Sequence, residues 1–124
     1  MTWQGVIIEE SLEDKTLLDM TRIVGTRETF LEEEENKGIM HLHSIEIENY
    51  AKELFVERAK SSIRQGWYIH ICKNSTMVVI FRGKSFEFSE GQKEKIEEAQ
   101  KYGESVGIHP AQLPSENLIR NPFD

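Results

Sequence analysis

Three short segments rich in β-branched and aromatic residues follow one another between residues 67 and 88, and they restrict the fold more than any other feature. They cover residues 67–73, 77–81 and 85–88. Segments of this length and composition are typical of β-strands. Because strands joined by such short connections pair in antiparallel fashion, the sequence predicts an antiparallel meander here.

The rest of the chain supplies further strands and two long helices. The other predicted strands cover residues 5–9, 23–31 and 39–48, with a short helix or turn between the first two. Apolar residues spaced three and four apart predict a helix over residues 50–64 with Asn49 as its N-cap. A second helix is predicted from Ser89 toward Gly107. The acidic residues 32–35 belong to a predicted solvated hairpin connection that ends at residue 38.

This order of elements predicts an α+β fold with a mainly antiparallel sheet and helices packed on one face. A ferredoxin-like arrangement, built from split βαβ units, fits the order best. One domain over residues 1–124 is expected, because the chain has the usual length of a single domain and no linker-like tract. Residues 109–124 form an irregular C-terminal segment, whose apolar side chains predict that it docks on the body.

The charge balance narrows the range of partners. The chain has 22 acidic and 15 basic side chains and a net charge of -7, which disfavours nucleic acid and anionic membrane surfaces as partners. No apolar run approaches the roughly 20 residues that cross a bilayer, and the first residues do not resemble a secretory signal. A single cysteine, Cys72, cannot form an internal disulfide, so we expect a cytoplasmic protein.

Two pairs of metal-binding residue types lie on predicted strands. His41 and His43 are two residues apart on one strand, and His70 and Cys72 are two apart on another, so each pair shares a face. If the pairs met, three imidazoles and a thiolate would form a tetrahedral zinc site. A split βαβ order argues against this, since it places another strand between the two. Histidines that hydrogen-bond or line an open face are the alternative.

A small-molecule site does not require the two pairs of side chains to meet as closely as a zinc site does. Tyr68, His70 and Cys72 share one predicted face, and with His41 or His43 they would form the aromatic and polar floor of a ligand site. The histidines could then serve as general acid or base. Ordinary half-buried strand residues are the competing interpretation of Tyr68 and His70.

Other chemistry has less support. Cys72 and His70 lie close in sequence, but nothing marks an oxyanion hole, and no nucleophile elbow, phosphate-binding loop or zincin helix is present. Four acids lie around the end of the first strand, Glu9, Glu10, Glu13 and Asp14. A paired-carboxylate role is one interpretation, and the simpler one is that acids favour the N-terminus of a helix. The sequence therefore identifies no catalytic residue.

Several segments resemble a family of short archaeal and bacterial proteins of uncharacterised function. The likeness lies in WQGVIIEESLEDK, MHLHSIEIE, GWYIHI, VVIFRGKSFEF and KYGESVGIHPAQL. The resemblance implies a complete stand-alone protein, and it brings no activity or cofactor with it. The residues that it marks as part of the family's pattern are Trp3, His41, His43, Trp67, Tyr68 and His70.

Two functions follow as hypotheses. The leading one is a ligand-binding or regulatory module that uses the open sheet face for a small molecule or for self-association as a homo-oligomer. The alternative is a small hydrolytic enzyme that uses His41, His43 and His70, with or without a transition metal such as zinc. The sequence leaves open whether the protein is an enzyme.

Overall fold

A six-stranded antiparallel sheet forms the centre of the structure, a computed structural model that describes residues 2–30 and 38–124 apart from the side chain of Phe30. The strands are β1 Thr2–Ile8, β2 Arg22–Phe30, β3 Ile39–Glu48, β4 Ile69–Lys73, β5 Thr76–Phe81 and β6 Lys84–Ser89. Their order in the sheet is β2-β3-β1-β4-β5-β6, and every neighbouring pair is antiparallel. The predicted hairpin connection lies outside the described residues except for Gly38.

The predicted meander is confirmed. β4 pairs with β5 and β5 with β6 in continuous antiparallel register. Asn74 and Ser75 connect β4 to β5 with φ of 49° and 65°. Positive φ at both central residues is the backbone of the tight hairpin turn that matches the twist of the flanking strands.

The helices comprise α1 Lys52–Ser62, α2 Lys93–Ser105 and the short α3 Asn117–Arg120. Asn49 is not the N-cap of α1. Its Oδ1 instead accepts hydrogen bonds from Trp3 Nε1 at 3.0 Å and Lys73 Nζ at 2.7 Å, and a 3-10 turn, Asn49–Ala51, leads into the helix. Ser89 is not the N-cap of α2 either: it ends β6, and Gln92 occupies the N-cap position. One hydrogen bond of the predicted capping box is present, since the Gln92 side chain accepts from the Ser89 backbone N–H at 2.7 Å.

One split crossover organises the sheet. β3 and β4 are both antiparallel to β1, which lies between them, so they are parallel to each other and are joined through α1. A ferredoxin-like fold repeats this unit. Here β1 and β2 are connected by two short 3-10 helices, Glu9–Ser11 and Lys15–Met20, and α2 leads to no further described strand. The α+β class is confirmed, whereas the ferredoxin-like arrangement is not.

Helices cover both faces of the sheet, which corrects the prediction that they pack on one. Phe55 and Ala59 of α1 pack with Val78 and Ile80, and the adjacent residues of β5 face the other way, toward α2. The residues that pack on the α2 side are Val79, Phe81, Phe88, Ile96 and Ala99. The physical reason is that β5 is apolar along both faces, and such a strand needs cover on each side.

The C-terminal segment completes the second face. A 3-10 turn, Pro110–Gln112, precedes α3, and Leu113, Leu118 and Ile119 pack on the same apolar cluster as α2. Polar contacts add to this packing, since Gln100 Nε2 donates to the carbonyl of Pro114 at 2.8 Å. The layer opposite α1 is therefore built from α2 together with the end of the chain.

Within the described parts of the chain, no helix has both the length and the apolar character needed to cross a membrane.

Candidate functional site

The two predicted pairs lie on opposite faces of the sheet. His43 pairs with Ile7 of β1, whose side chain belongs to the core beneath α1, whereas His70 pairs with Val6, one residue earlier. Adjacent residues of a strand point to opposite faces. His41 and His43 therefore lie on the α1 side, and His70 and Cys72 on the α2 side. In residues 2–30 and 38–124 no three histidine, cysteine or acidic side chains are arranged to hold a metal ion.

Gly5 allows the close pairing of β1 with β4. A Cβ atom at this position would collide with the carbonyl oxygen of His70, so β4 approaches β1 closely because residue 5 has no side chain. Val6 lies opposite His70 in this pair of strands, whereas Ile7 meets His43 on the other edge of β1, in its pairing with β3.

On the α1 side, His43 is hydrogen-bonded through both ring nitrogens. It is 8% exposed, with Nε2 2.8 Å from Glu9 Oε1 and Nδ1 2.8 Å from Thr26 Oγ1. An ionised carboxylate only accepts, so Nε2 carries a proton, and in the neutral ring the Thr26 hydroxyl donates to Nδ1. The hydrogen bond from His43 lowers the pKa of Glu9. This imidazole has no nitrogen left for a ligand.

His41 is also paired with a carboxylate. Its backbone N–H donates to Glu10 Oε1 at 2.7 Å, its Nδ1 lies 2.6 Å from Glu10 Oε2, and its Nε2 lies 3.5 Å from Glu28 Oε1. The hydrogen bond to Glu10 raises the pKa of His41. Burial alone would raise the pKa of Glu10, but its hydrogen bonds with His41 outweigh burial and lower it. We call Glu9, Glu10, Thr26, Glu28, His41 and His43 the histidine–glutamate network.

The sequence reasoning missed the acidic half of this network. Glu9 and Glu10 were expected to stabilise a helix N-terminus, but they turn back toward β3 and pair with His43 and His41. Two adjacent acids at the end of one strand and two alternating histidines near the start of another are compatible with such pairing. The pattern becomes informative only once β1 is known to pair with β3.

A cleft lies on the opposite side, between the sheet and the C-terminal segment. Its volume is about 120 Å³. The apolar and aromatic lining residues are Val6, Ile8, Leu42, Trp67, Tyr68 and Ile108, and the polar ones are His70, Gln112 and Asp124. A small concave site with mainly apolar walls and few polar groups is the usual form of a ligand pocket.

His70 is the most buried polar group of this cleft. It is 5% exposed, and its Nε2 lies 2.7 Å from the carbonyl oxygen of Pro122. A carbonyl only accepts, so Nε2 carries the proton. Burial lowers the pKa of His70 to about 4, against smaller opposing effects of Pro122 and Asp124. The imidazole is therefore neutral at physiological pH, and Nδ1 is an acceptor.

Nδ1 of His70 is the ring nitrogen that the described protein leaves for a ligand. It has no hydrogen-bond partner among the described residues, where every fully buried side-chain nitrogen and oxygen has one. Nδ1 must then be accessible, and the space that His70 lines is the cleft. An accessible acceptor on a largely buried ring is a specific feature for a ligand to recognise.

Tyr68 and Cys72 differ in their relation to the cleft. Tyr68 lines it and packs on Phe81 with 6.0 Å between ring centroids, and burial raises the pKa of its hydroxyl. Cys72 is outside the lining, and its Sγ donates to the Leu118 carbonyl at 3.3 Å. Burial raises the pKa of the Cys72 thiol to about 12, so it stays protonated and poorly nucleophilic.

Comparison with known proteins identifies no related protein. No protein-family model matches the chain, and neither a curated protein nor a solved structure matches it. The resemblance to short archaeal and bacterial proteins thus stays a prediction, and the function has to be argued from the geometry.

Proposed function

We propose that the chain is a small-molecule-binding domain whose ligand occupies the cleft between the sheet and the C-terminal segment. The observation that carries this proposal is the accessible Nδ1 of the buried, neutral His70 in a largely apolar cleft. A ligand that donates to Nδ1 would satisfy a polar atom that the described protein leaves without a partner.

The wall opposite the sheet is firmly attached, which favours a preformed site. The Pro122 carbonyl accepts from His70, and Arg27 Nη1 donates to the Phe123 carbonyl at 2.8 Å. At the far side of the segment, Arg120 pairs with Glu90. A wall held in place by several contacts needs little ordering when a ligand binds, and less ordering leaves more of the interaction energy for affinity.

Hydrolysis, the alternative hypothesis, has less support from this geometry. A histidine with a pKa of about 4, such as His70, is a poor general base at neutral pH. His41 and His43 lie on the other face, where they are hydrogen-bonded to the carboxylates of Glu10 and Glu9 and do not line the cleft. The three histidines of the predicted cluster therefore have no common site, and zinc held by that cluster is not proposed.

Self-association and cytoplasmic location stay predictions. β2 is an exposed edge strand with Ile23 45% and Val24 43% exposed, which offers a surface for a second copy. However, β2 has a bulge between Ile23 and Gly25, and it carries Arg27 and Glu28. Bulges and charged side chains are the features by which edge strands avoid pairing. The cytoplasm is favoured by the single cysteine.

The test is a screen of a broad set of small molecules, with no restriction on ring number or charge, against the ¹⁵N-labelled protein, in which the amide chemical shifts are followed. We expect saturable shifts at the amides of Val6, His70 and Ile108. Ile8→Trp, which fills the cleft, should abolish them, whereas Ile39→Trp, at a 61% exposed position outside the lining, should leave them unchanged. A broad compound set that shifts no cleft residue, or binding that survives Ile8→Trp, would contradict the proposal.

A further inference from the structure

We infer that the ligand of this cleft is a single-ring aromatic molecule, uncharged or cationic, which donates an N–H or O–H hydrogen bond to His70 Nδ1. This inference rests on the proposed function and specifies the chemical class that the cleft accepts. It follows from the size of the cleft, the polarity of His70 and the charges at the lining.

Size limits the ligand to one ring. The cleft has a volume of about 120 Å³. A cavity of roughly 150 Å³ lined by aliphatic and aromatic side chains is enough to hold benzene. A nucleotide or a two-ring cofactor could therefore enter only with part of its structure outside the cleft.

The lining favours an aromatic ring. Tyr68, which packs with the apolar cluster on the α2 side, contributes aromatic surface to the wall, Trp67 is a further lining residue, and Val6, Leu42 and Ile108 contribute aliphatic surface. Aromatic pairs in offset or edge-to-face contact gain stability beyond that of their buried area. A flat ring also loses less conformational freedom on binding than a flexible chain of the same size.

The unprotonated Nδ1 of His70 favours a ligand that donates a hydrogen bond. Nε2 is engaged by the Pro122 carbonyl, and the unprotonated Nδ1 presents a lone pair. A ligand oxygen without a hydrogen would face this lone pair, and both would lose their bonds to water without replacement. Phenols, anilines and amines meet the requirement, and ethers of the same shape do not.

Charge excludes anions. Asp124 is the charged residue of the lining, and no lysine or arginine among the described residues contributes to it. The carboxylate of Asp124 acts on His70 across the cleft. Together with the net charge of -7, this disfavours carboxylates and phosphates and favours a neutral or positive ligand.

The test compares probes of one size in the wild-type protein: phenol, anisole, benzylamine and benzoate, titrated against the ¹⁵N-labelled chain. We expect phenol and benzylamine to shift the amides of Val6 and His70. Anisole, which cannot donate, should bind about tenfold more weakly than phenol, as the loss of one hydrogen bond predicts. Benzoate should give no cleft shifts at the same concentration.

A variant pair checks the role of Nδ1. His70→Phe keeps a ring of similar size but has no acceptor, so the preference for phenol over anisole should disappear. His41→Phe, on the opposite face of the sheet and outside the cleft lining, is the matched control and should keep the preference. If His70→Phe fails to fold, the comparison of phenol with anisole in the wild-type protein decides the matter alone.

The possible failures are distinguishable. If benzoate binds the cleft as well as phenol, or anisole equals phenol, the ligand class is overturned while the binding site stands. If none of the four probes shifts a cleft residue, the single-ring class is overturned. Failure of the broader compound set as well would overturn the proposed function itself.

Discussion

The histidines on the two faces of the sheet have opposite environments although they lie at the same end of it. On the α1 side, His41 and His43 are paired with Glu10 and Glu9, and His43 is hydrogen-bonded at both nitrogens. On the α2 side, His70 is buried and forms no hydrogen bond with a carboxylate among the described residues. Its Nε2 donates to one backbone carbonyl, and its Nδ1 is available to a ligand in the cleft. Residue type alone therefore does not identify a ligand site, whereas the partners of each nitrogen do.

The largest expected effect comes from Gly5, because it allows β4, which carries His70, to pair closely with β1. Gly5→Ala should destabilise the fold by about 3 kcal/mol or more, since the new Cβ collides with the backbone of β4 and must push the strands apart. Urea unfolding measures the change. Gly25→Ala is the control, because its nearest neighbour would be Ser44 Cβ at 4.0 Å. Equal stability of the two variants would contradict the close approach.

The second effect is the contribution of His70 to the pH dependence of the free energy of unfolding. Its folded pKa of about 4 lies below the unfolded value near 6.5, so the unfolded state takes up a proton first as the pH falls. Stability should therefore rise between pH 4 and 6.5 and level off above, by up to roughly 3 kcal/mol at about 1.4 kcal/mol per pKa unit. His70→Phe should remove this slope. An unchanged slope in that variant would mean that His70 is not buried as a neutral ring.

A smaller effect should follow from Thr26→Val, which keeps the shape of the side chain but removes the hydroxyl that donates to His43 Nδ1. Leaving this largely buried acceptor without a partner should cost about 1 kcal/mol or somewhat more. Thr29→Val, three residues along the same strand and on its other face, is the control. Chemical denaturation of both variants should show a difference, and equal midpoints would indicate that water replaces the hydroxyl.

The smallest effect is expected at His41, whose contribution to the pH dependence of stability has the opposite sign to that of His70. Its folded pKa is raised by Glu10, so its stabilising contribution is complete below the unfolded pKa and is lost as the pH rises through the folded value. Wild-type protein should lose stability relative to His41→Gln as the pH is raised from about 6.5 through the folded pKa of His41. A stability difference that stays constant over this interval would show that His41 is not ion-paired.

The fold was predictable where the signals are local. The meander over residues 67–88 and the two long helices were recognisable because turns and helical periodicity involve neighbours in sequence. The placement of helices on both faces was predicted wrongly, although the continuous apolar run of β5 indicates a strand buried on each side. The crossover through α1 required knowledge of which strands lie side by side.

The candidate site was less predictable, because it depends on long-range register. Whether His43 and His70 converge is decided by their pairing with Ile7 and Val6 of β1, and a shift of one residue would reverse the outcome. Tyr68 and His70 were identified as neighbours because alternation along one strand is local. The Pro122 carbonyl, which accepts a hydrogen bond from His70, lies far away in sequence. No pattern in residues 109–124 predicts this contact.

The most direct measurement for the central claim is the pH titration of the ring nitrogens of His70 by ¹⁵N NMR, with and without phenol. The account predicts a neutral ring with its proton on Nε2 down to about pH 4, and a shift of the Nδ1 signal when phenol is added. A ring that becomes protonated near pH 6.5, or an Nδ1 signal that ignores phenol while other cleft residues respond, would contradict it.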